Sequence, residues 1–140
     1  NRRFADSMVA SMRPGDVLAM VDLDGLKGTN DVHGHAAGDE LLHEVGVFLS
    51  EQIRNPDMAA RLGGDEFMIL LRNANDGAPA ILERLLVLWQ DKKLYNTTFS
   101  IGMAVHRSDR STRETVEAAD DALYQAKKDG KNRLVCSAAA

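Results

Sequence analysis

Met58-Ala59-Ala60-Arg61-Leu62-Gly63-Gly64-Asp65-Glu66-Phe67-Met68-Ile69-Leu70-Leu71 holds two short apolar runs, 58–62 and 67–71, around two glycines and two acids. Glycine takes up left-handed backbone at little steric cost, so residues 63–66 read as the turn of a β-hairpin that carries Asp65 and Glu66. A further apolar run, residues 17–21, follows the turn signal Pro14-Gly15 and ends in Asp22-Leu23-Asp24. Its lack of polar alternation is that of a strand covered on both faces. If the hairpin lies beside this strand, the two pairs of acids converge at one end of a sheet.

Helical spacing marks much of the remainder. It is seen in Phe4, Met8, Val9 and Met12; in Leu41, Leu42, Val45, Phe48 and Leu49; in Ile81, Leu82, Leu85, Leu86 and Trp89; and in Val116, Ala119, Ala122, Leu123 and Ala126. The last of these helices opens with Ser111 and Glu114 at capping-box spacing and closes at Gly130. Residues 98–105 and 133–135 read as strands. The Gly- and polar-rich residues 25–38 read as a loop, with Asp39 as the cap or a first-turn acid of the helix that follows. The order helix-strand-helix-strand-strand-helix-strand-helix-strand predicts an α+β domain, a mixed central sheet flanked by helices. At 140 residues, with no internal repeat or Pro-rich linker, the chain is expected to be one domain over residues 1–140.

Composition narrows the function classes. With 44% hydrophobic and 27% charged residues the chain is neither disordered nor fibrous. Its 17 Lys and Arg against 21 Asp and Glu give a net charge of −4, which argues against a nucleic-acid or membrane-surface binder, because such partners need a broad cationic face. The apolar runs are far shorter than the roughly 20 residues of a membrane-spanning helix. The single cysteine, Cys136, excludes an internal disulfide and a Cys-based zinc site, and a cytoplasmic location is expected. The chain opens at Asn1 rather than Met and is expected to be a piece of a longer protein.

Three groups of residues carry chemistry. Converging carboxylates repel unless a cation lies between them, and oxygen ligands without His or Cys suit Mg²⁺ or Mn²⁺, metals of phosphate-ester chemistry. Taken singly, either acid pair reads more readily as solvated turn residues; it is the convergence of the two that points to a cation. In Asn30-Asp31-Val32-His33-Gly34-His35-Ala36-Ala37-Gly38-Asp39, the Asn30 amide and the Asp39 carboxylate suit a base edge such as the adjacent donor nitrogens of guanine, although Asp39 also serves as a helix cap. His33 and His35 read as turn residues rather than metal ligands. Lys27, Lys127 and Lys131 are the ammonium groups available to a triphosphate; those near the helix C-terminus, Lys128 above all, also complement its dipole. No Gly-Lys-Ser/Thr phosphate loop is present.

Taken in order, Asp22-Leu23-Asp24, Lys27, Asn30-Asp31, Gly34-His35, Gly38-Asp39 and Arg61-Leu62-Gly63-Gly64-Asp65-Glu66-Phe67 resemble the GGDEF domain of diguanylate cyclases. Ser100-Ile101-Gly102, Ala119-Asp120-Asp121-Ala122-Leu123-Tyr124-Gln125-Ala126-Lys127 and Gly130-Lys131-Asn132 fit the same pattern, so the resemblance runs from Asn1-Arg2-Arg3-Phe4 to the last strand. It implies a fold like the palm of class III nucleotidyl cyclases, with a ferredoxin-like core, and a reaction joining two GTP into cyclic di-GMP with release of pyrophosphate.

By the same resemblance Asp22, the carbonyl of Leu23 and Asp65 hold Mg²⁺ or Mn²⁺, and Glu66 assists at the metal or handles the hydroxyl proton. Asn30 and Asp39 read guanine with His35 nearby, Gly64 lets the backbone approach the nucleotide, and Lys27, Lys127 and Lys131 hold phosphates. Members that make mixed purine dinucleotides carry Ser in place of this acid, so Asp39 implies guanine on both sides. Each subunit holds one GTP, so a second GGDEF domain must face the first, and an N-terminal sensory or receiver domain is expected to pair them. Arg54-Asn55-Pro56-Asp57 falls where the family has its RxxD inhibitory site, which implies product feedback through Arg54 and Asp57. Gly25-Leu26, Thr29 and Lys131 depart from the family's usual Phe, Ile or Val, and Arg, which implies looser packing and lower activity. The rival readings are a non-catalytic module that binds GTP or cyclic di-GMP, and a regulatory appendage to a phosphodiesterase domain.

Overall fold

The computed structural model describes residues 2–138; Asn1, Ala139 and Ala140, the ends of the expected 1–140 domain, lie outside them. The elements are α1 (Arg2–Ala10), β1 (Val17–Asp24), α2 (Leu26–His33), α3 (His35–Gln52), β2 (Met58–Gly63), β3 (Glu66–Leu71), α4 (Ala78–Lys92), β4 (Thr98–Val105), α5 (Thr112–Lys128) and β5 (Arg133–Cys136). The strands form one sheet in the order β2-β3-β1-β4-β5. All neighbours are antiparallel except β4 and β5, which run parallel, so the sheet is mixed as the element order predicts.

β1 is the central strand and is buried on both faces from Val17 to Leu23. Successive side chains of a strand alternate between faces. Val17, Ala19, Val21 and Leu23 therefore pack with Val45 and Phe48 of α3 and Leu82 and Trp89 of α4. Leu18 and Met20 pack on the other face with Ala5 and Met8 of α1 and Ala119 and Leu123 of α5. The same alternation puts Asp22 and Asp24 on the α5 face. In the first layer Trp89 stacks on Phe99 at 5.0 Å between ring centres and meets Phe48 edge-on at 5.2 Å. Its indole N–H donates to Thr97 Oγ1 at 3.1 Å, so this buried ring carries no unpaired donor.

In the second layer Gly102 decides how closely α5 approaches the sheet. A Cβ there would lie 2.1 Å from the Leu123 amide nitrogen and 2.4 Å from the Ala119 carbonyl oxygen, so the helix backbone rests directly on β4. The Ser111–Glu114 capping box starts α5 as its spacing predicts, each side chain bonding the other's backbone amide.

Two local expectations are corrected. Residues 25–38 are not a loop: they form α2, a break at Gly34 and the start of α3. Gly25 (φ 97°) and Gly34 (φ 91°) supply the positive-φ backbone that turns the chain into each helix, and residues 26–33 are too polar to show an apolar stripe. Asp39 is consequently the fifth residue of α3 rather than its cap or a first-turn acid. In the hairpin only Gly64 and Asp65 lie between the strands, and Glu66 opens β3 opposite Asp22. Thr29 is buried and its hydroxyl donates to the Gly25 carbonyl at 3.1 Å, while Oδ1 of the neighbouring Asn30 is buried without a hydrogen-bond partner.

Candidate active site

Asp22 stands near the end of β1 with Glu66 of β3 on one side and Ser100 of β4 on the other. It is 2% exposed. The Lys127 ammonium, on the last turn of α5, pairs with its Oδ2, while Oδ1 is buried without a hydrogen-bond partner. A buried carboxylate oxygen left without a donor is costly unless something else comes to it. Burial, followed by the positive charge of Lys131, pushes the Lys127 ammonium below its ordinary range.

The hairpin tip is tied to this strand end by backbone. The Leu23 amide donates to the Asp65 carbonyl at 3.0 Å. Gly63 and Gly64 have φ of 152° and 53°, and the Arg61 guanidinium donates to the Gly64 carbonyl from Nε at 3.1 Å and Nη2 at 2.8 Å. A Cβ at Gly64 would meet nothing within 4 Å, so its face of the turn is open. Asp65 is half-buried and Glu66 exposed. Asp120 of α5 adds a further negative charge here: partial burial, followed by the charges of Glu66, Asp121 and Glu117, pushes its carboxyl above the ordinary range.

No cluster of three His, Cys, Asp or Glu side chains able to hold a metal occurs among the described residues. The oxygen groups that could hold one are the Asp22 and Asp65 carboxylates and the Leu23 carbonyl, at the strand end joined to the hairpin tip by the Leu23–Asp65 backbone bond. The unpartnered Oδ1 of Asp22 and the all-oxygen chemistry fit a hard divalent cation. Asp24, beside Asp22 in the acid pair that ends β1, has its oxygens engaged: they accept from Thr98, Ser100 and the Asn132 amide.

Asn30 and Asp39 lie on either side of the α2–α3 junction. A Cβ on Gly38 would lie 1.8 Å from Asn30 Oδ1, so only glycine lets the Asn30 amide rest there, next to Asp39 in sequence. Asp39 is exposed and lines a cleft of 570 Å³ with Leu42, His43, Gly46, Ala60 and Phe67. His35 is exposed at the first position of α3, and Lys27 is exposed on the first turn of α2.

Arg54 and Asp57 lie elsewhere. Arg54 Nε donates to Asp57 Oδ2 at 3.3 Å and its Nη2 to the Arg72 carbonyl, while Asp57 Oδ1 accepts the Arg72 amide at 2.8 Å. Arg72 follows the far end of β3, six residues from Glu66, about 20 Å along the strand. The Arg54 side chain is 58% exposed and that of Asp57 1%. Arg61, Asp120 and Ser100 are the members of this region that motif reading alone leaves without a role.

The family profile described as "Diguanylate cyclase, GGDEF domain" matches residues 3–133. The chain belongs to the GGDEF domain family. It is 40% identical over 129 residues to diguanylate cyclase A of Treponema denticola, covering 86% of this chain and 34% of that protein. It is 33% identical to the response regulator PleD of Caulobacter vibrioides, covering 99% of this chain and 34% of PleD. The chain thus spans about a third of the length of these relatives. Among solved structures, the GGDEF domain of DgcB from Caulobacter crescentus, in complex with c-di-GMP, matches with a TM-score of 0.86 at 30% identity, over 98% of this chain and 90% of that one. The five-stranded mixed sheet with its flanking helices is therefore the cyclase palm-like fold of GGDEF domains.

Proposed function

We propose that this domain is a diguanylate cyclase that condenses two GTP into cyclic di-GMP and two pyrophosphates. The observation that carries the reading is the buried Asp22 carboxylate with one oxygen unpartnered, beside the Leu23–Asp65 backbone bond and the Lys127 ammonium. In each half-reaction the 3′-hydroxyl oxygen of one GTP attacks the α-phosphorus of the other. The new P–O bond forms as the bond to the bridging β-phosphate oxygen breaks, and pyrophosphate leaves.

Asp22, the Leu23 carbonyl and Asp65 would hold Mg²⁺ or Mn²⁺, which when bound neutralises the triphosphate and favours the attacking alkoxide. Glu66, exposed beside them, is assigned the hydroxyl proton. Lys27, Lys127 and Lys131 bind the phosphates. For Lys127 this means exchanging Asp22 for phosphate oxygens when the substrate arrives. Asn30 and Asp39 read guanine, with His35 at the rim and Gly64 offering an open backbone face. Closing the ring needs a second GTP presented by a second GGDEF domain, so activity requires a pair, which an N-terminal sensory or receiver domain would bring together.

Product feedback is assigned to the RxxD segment. Arg54, being exposed, is available to guanine or phosphate of cyclic di-GMP. Asp57 already accepts from Arg54 and Arg72, so any contact of its carboxylate with guanine requires Arg54 to let go. The decisive experiment is to fuse the domain to a short dimerising coiled coil, incubate it with GTP and Mg²⁺, and identify products by mass spectrometry, with Asp65→Ala as control. Cyclic di-GMP that vanishes in the control is expected. GTP binding by a proven dimer without any cyclic product would sink the cyclase reading in favour of a receptor module.

A further inference from the structure

We infer that Asp24 is a positioning residue: it clamps the turn at residues 130–132 to the end of β1 and so sets where Lys131 presents its charge to the triphosphate. The inference rests on the cyclase reading for the role of Lys131, but the clamp itself is a matter of geometry.

Asp24 lies two residues beyond Asp22 on the same face of β1, yet its carboxylate is engaged on both oxygens. Oδ1 accepts the Ser100 hydroxyl at 2.8 Å, and Oδ2 accepts the Thr98 hydroxyl at 2.8 Å and the Ser100 hydroxyl at 3.0 Å. These two donors come from β4, the neighbouring strand, and fix the plane of the carboxylate. The remaining donor is the backbone amide of Asn132 at 3.2 Å, 108 residues further along the chain.

That turn is an unusual piece of backbone. Gly130, Lys131 and Asn132 have φ of 126°, 65° and 50° in succession. Left-handed backbone is tolerable for glycine and asparagine, but for lysine the Cβ crowds the carbonyl, and such a residue persists only where its surroundings hold it. Two of the bonds that hold it are local: the Lys131 amide donates to the Ala126 carbonyl at 3.0 Å, and Arg133 Nε donates to the Lys131 carbonyl at 2.9 Å. The bond to Asp24 is the one of these three that reaches β1, the strand that bears Asp22. It is the direct tie from this turn to the strand that bears Asp22, alongside the indirect ones through Ala126 of α5 and the pairing of Arg133 with Ser100 of β4. A hydrogen bond accepted by an ionised carboxylate is strong enough to serve as such a tie.

The test uses 3′-deoxy-GTP with Mg²⁺, which lacks the attacking hydroxyl and is not consumed, together with hydrogen exchange at the Asn132 amide. Asp24→Ala is expected to weaken nucleotide binding about tenfold and to strip Asn132 of exchange protection. Lys131→Ala should weaken binding by about the same factor, and the double variant no more than either single one, because both changes remove the same contact. Asp24→Asn keeps one acceptor oxygen. It is expected midway, about threefold weaker with faster Asn132 exchange, and it carries the test if Asp24→Ala does not fold.

Unchanged Asn132 exchange in the Asp24 variants, or losses that add in the double variant, overturns the clamp. A wild-type domain that binds 3′-deoxy-GTP but, when paired, makes no cyclic di-GMP from GTP overturns the cyclase reading and leaves the clamp standing. Failure of the wild-type domain to bind the nucleotide overturns the cyclase reading and the role given to Lys131, and Asn132 exchange in the Asp24 variants then decides the clamp alone.

Discussion

Two buried aspartates bracket the central strand. Asp16, just before β1, is 4% exposed; Asp22, near its far end, is 2% exposed. Asp16 has every lone pair that matters occupied: Oδ1 accepts the Asn73 amide at 2.9 Å, and Oδ2 accepts the Arg13 amide and Arg72 Nη1, both at 2.8 Å. Burial alone would raise its carboxyl, but these bonds, led by the two backbone amides, hold it below the ordinary range. Asp22 has one ammonium partner and an orphaned oxygen. Equal burial with unequal satisfaction separates the two: Asp16 ties Arg13, Arg72 and Asn73 together, whereas Asp22 keeps one oxygen without a hydrogen bond, as the proposed metal role requires.

The sharpest way to break this comparison is to remove the charge at each end. Asp22→Asn is expected to lower cyclase activity at least about a hundredfold while the melting temperature stays level or rises, since a poorly satisfied buried charge is lost with the metal ligand. Activity assays on the paired domain and a thermal melt check both halves. Asp16→Asn should do the reverse, costing about 2–3 kcal/mol because the Arg72 guanidinium loses its anion, with a fall in melting temperature of several degrees. If the two variants behave alike, satisfaction does not distinguish their roles.

A smaller effect tests how α5 delivers Lys127 to Asp22. Gly102→Ala forces a methyl into the helix backbone and should cost about 2 kcal/mol in denaturant unfolding, with weakened nucleotide binding in the molecules that remain folded. Acid sharpens the contrast further. Because the Asp16 carboxyl binds its proton less readily folded than unfolded, the unfolded chain takes up more protons as the pH drops below about 4, and stability falls there. That part of the acid loss should be absent in Asp16→Asn. The smallest effect on stability is expected at the other arginine. Arg54 is 58% exposed, so Arg54→Ala should cost under about 1 kcal/mol yet remove calorimetric binding of cyclic di-GMP.

Much of the fold is legible in the sequence, because its long elements carry a period. The central strand, the hairpin and the capped last helix all follow from apolar spacing and turn chemistry. Helix α2 escaped that reading because Lys27, Gly28, Thr29, Asn30 and Asp31 present no apolar stripe; tertiary packing against α3 sustains it, with Thr29 buried and Asn30 seated over Gly38. The candidate site residues are legible as motifs in order. The resemblance gives the metal to Asp22 and not to Asp24; the physical difference between these two acids on one face of one strand lies in their partners, which apolar spacing and turn chemistry do not show.

By itself, then, the sequence determined the α+β order of elements, the acid-tipped hairpin and the family to which the domain belongs, because periodicity, caps and motif spacing are local properties of a chain. Tertiary structure alone decided that Asp22 is buried with one oxygen unpartnered, that Asp24 is taken by Thr98, Ser100 and Asn132, and that Arg54 and Asp57 are tied to the backbone of Arg72. Those facts depend on hydrogen bonds and close approaches between residues far apart in the chain, and on which lone pairs the fold leaves empty.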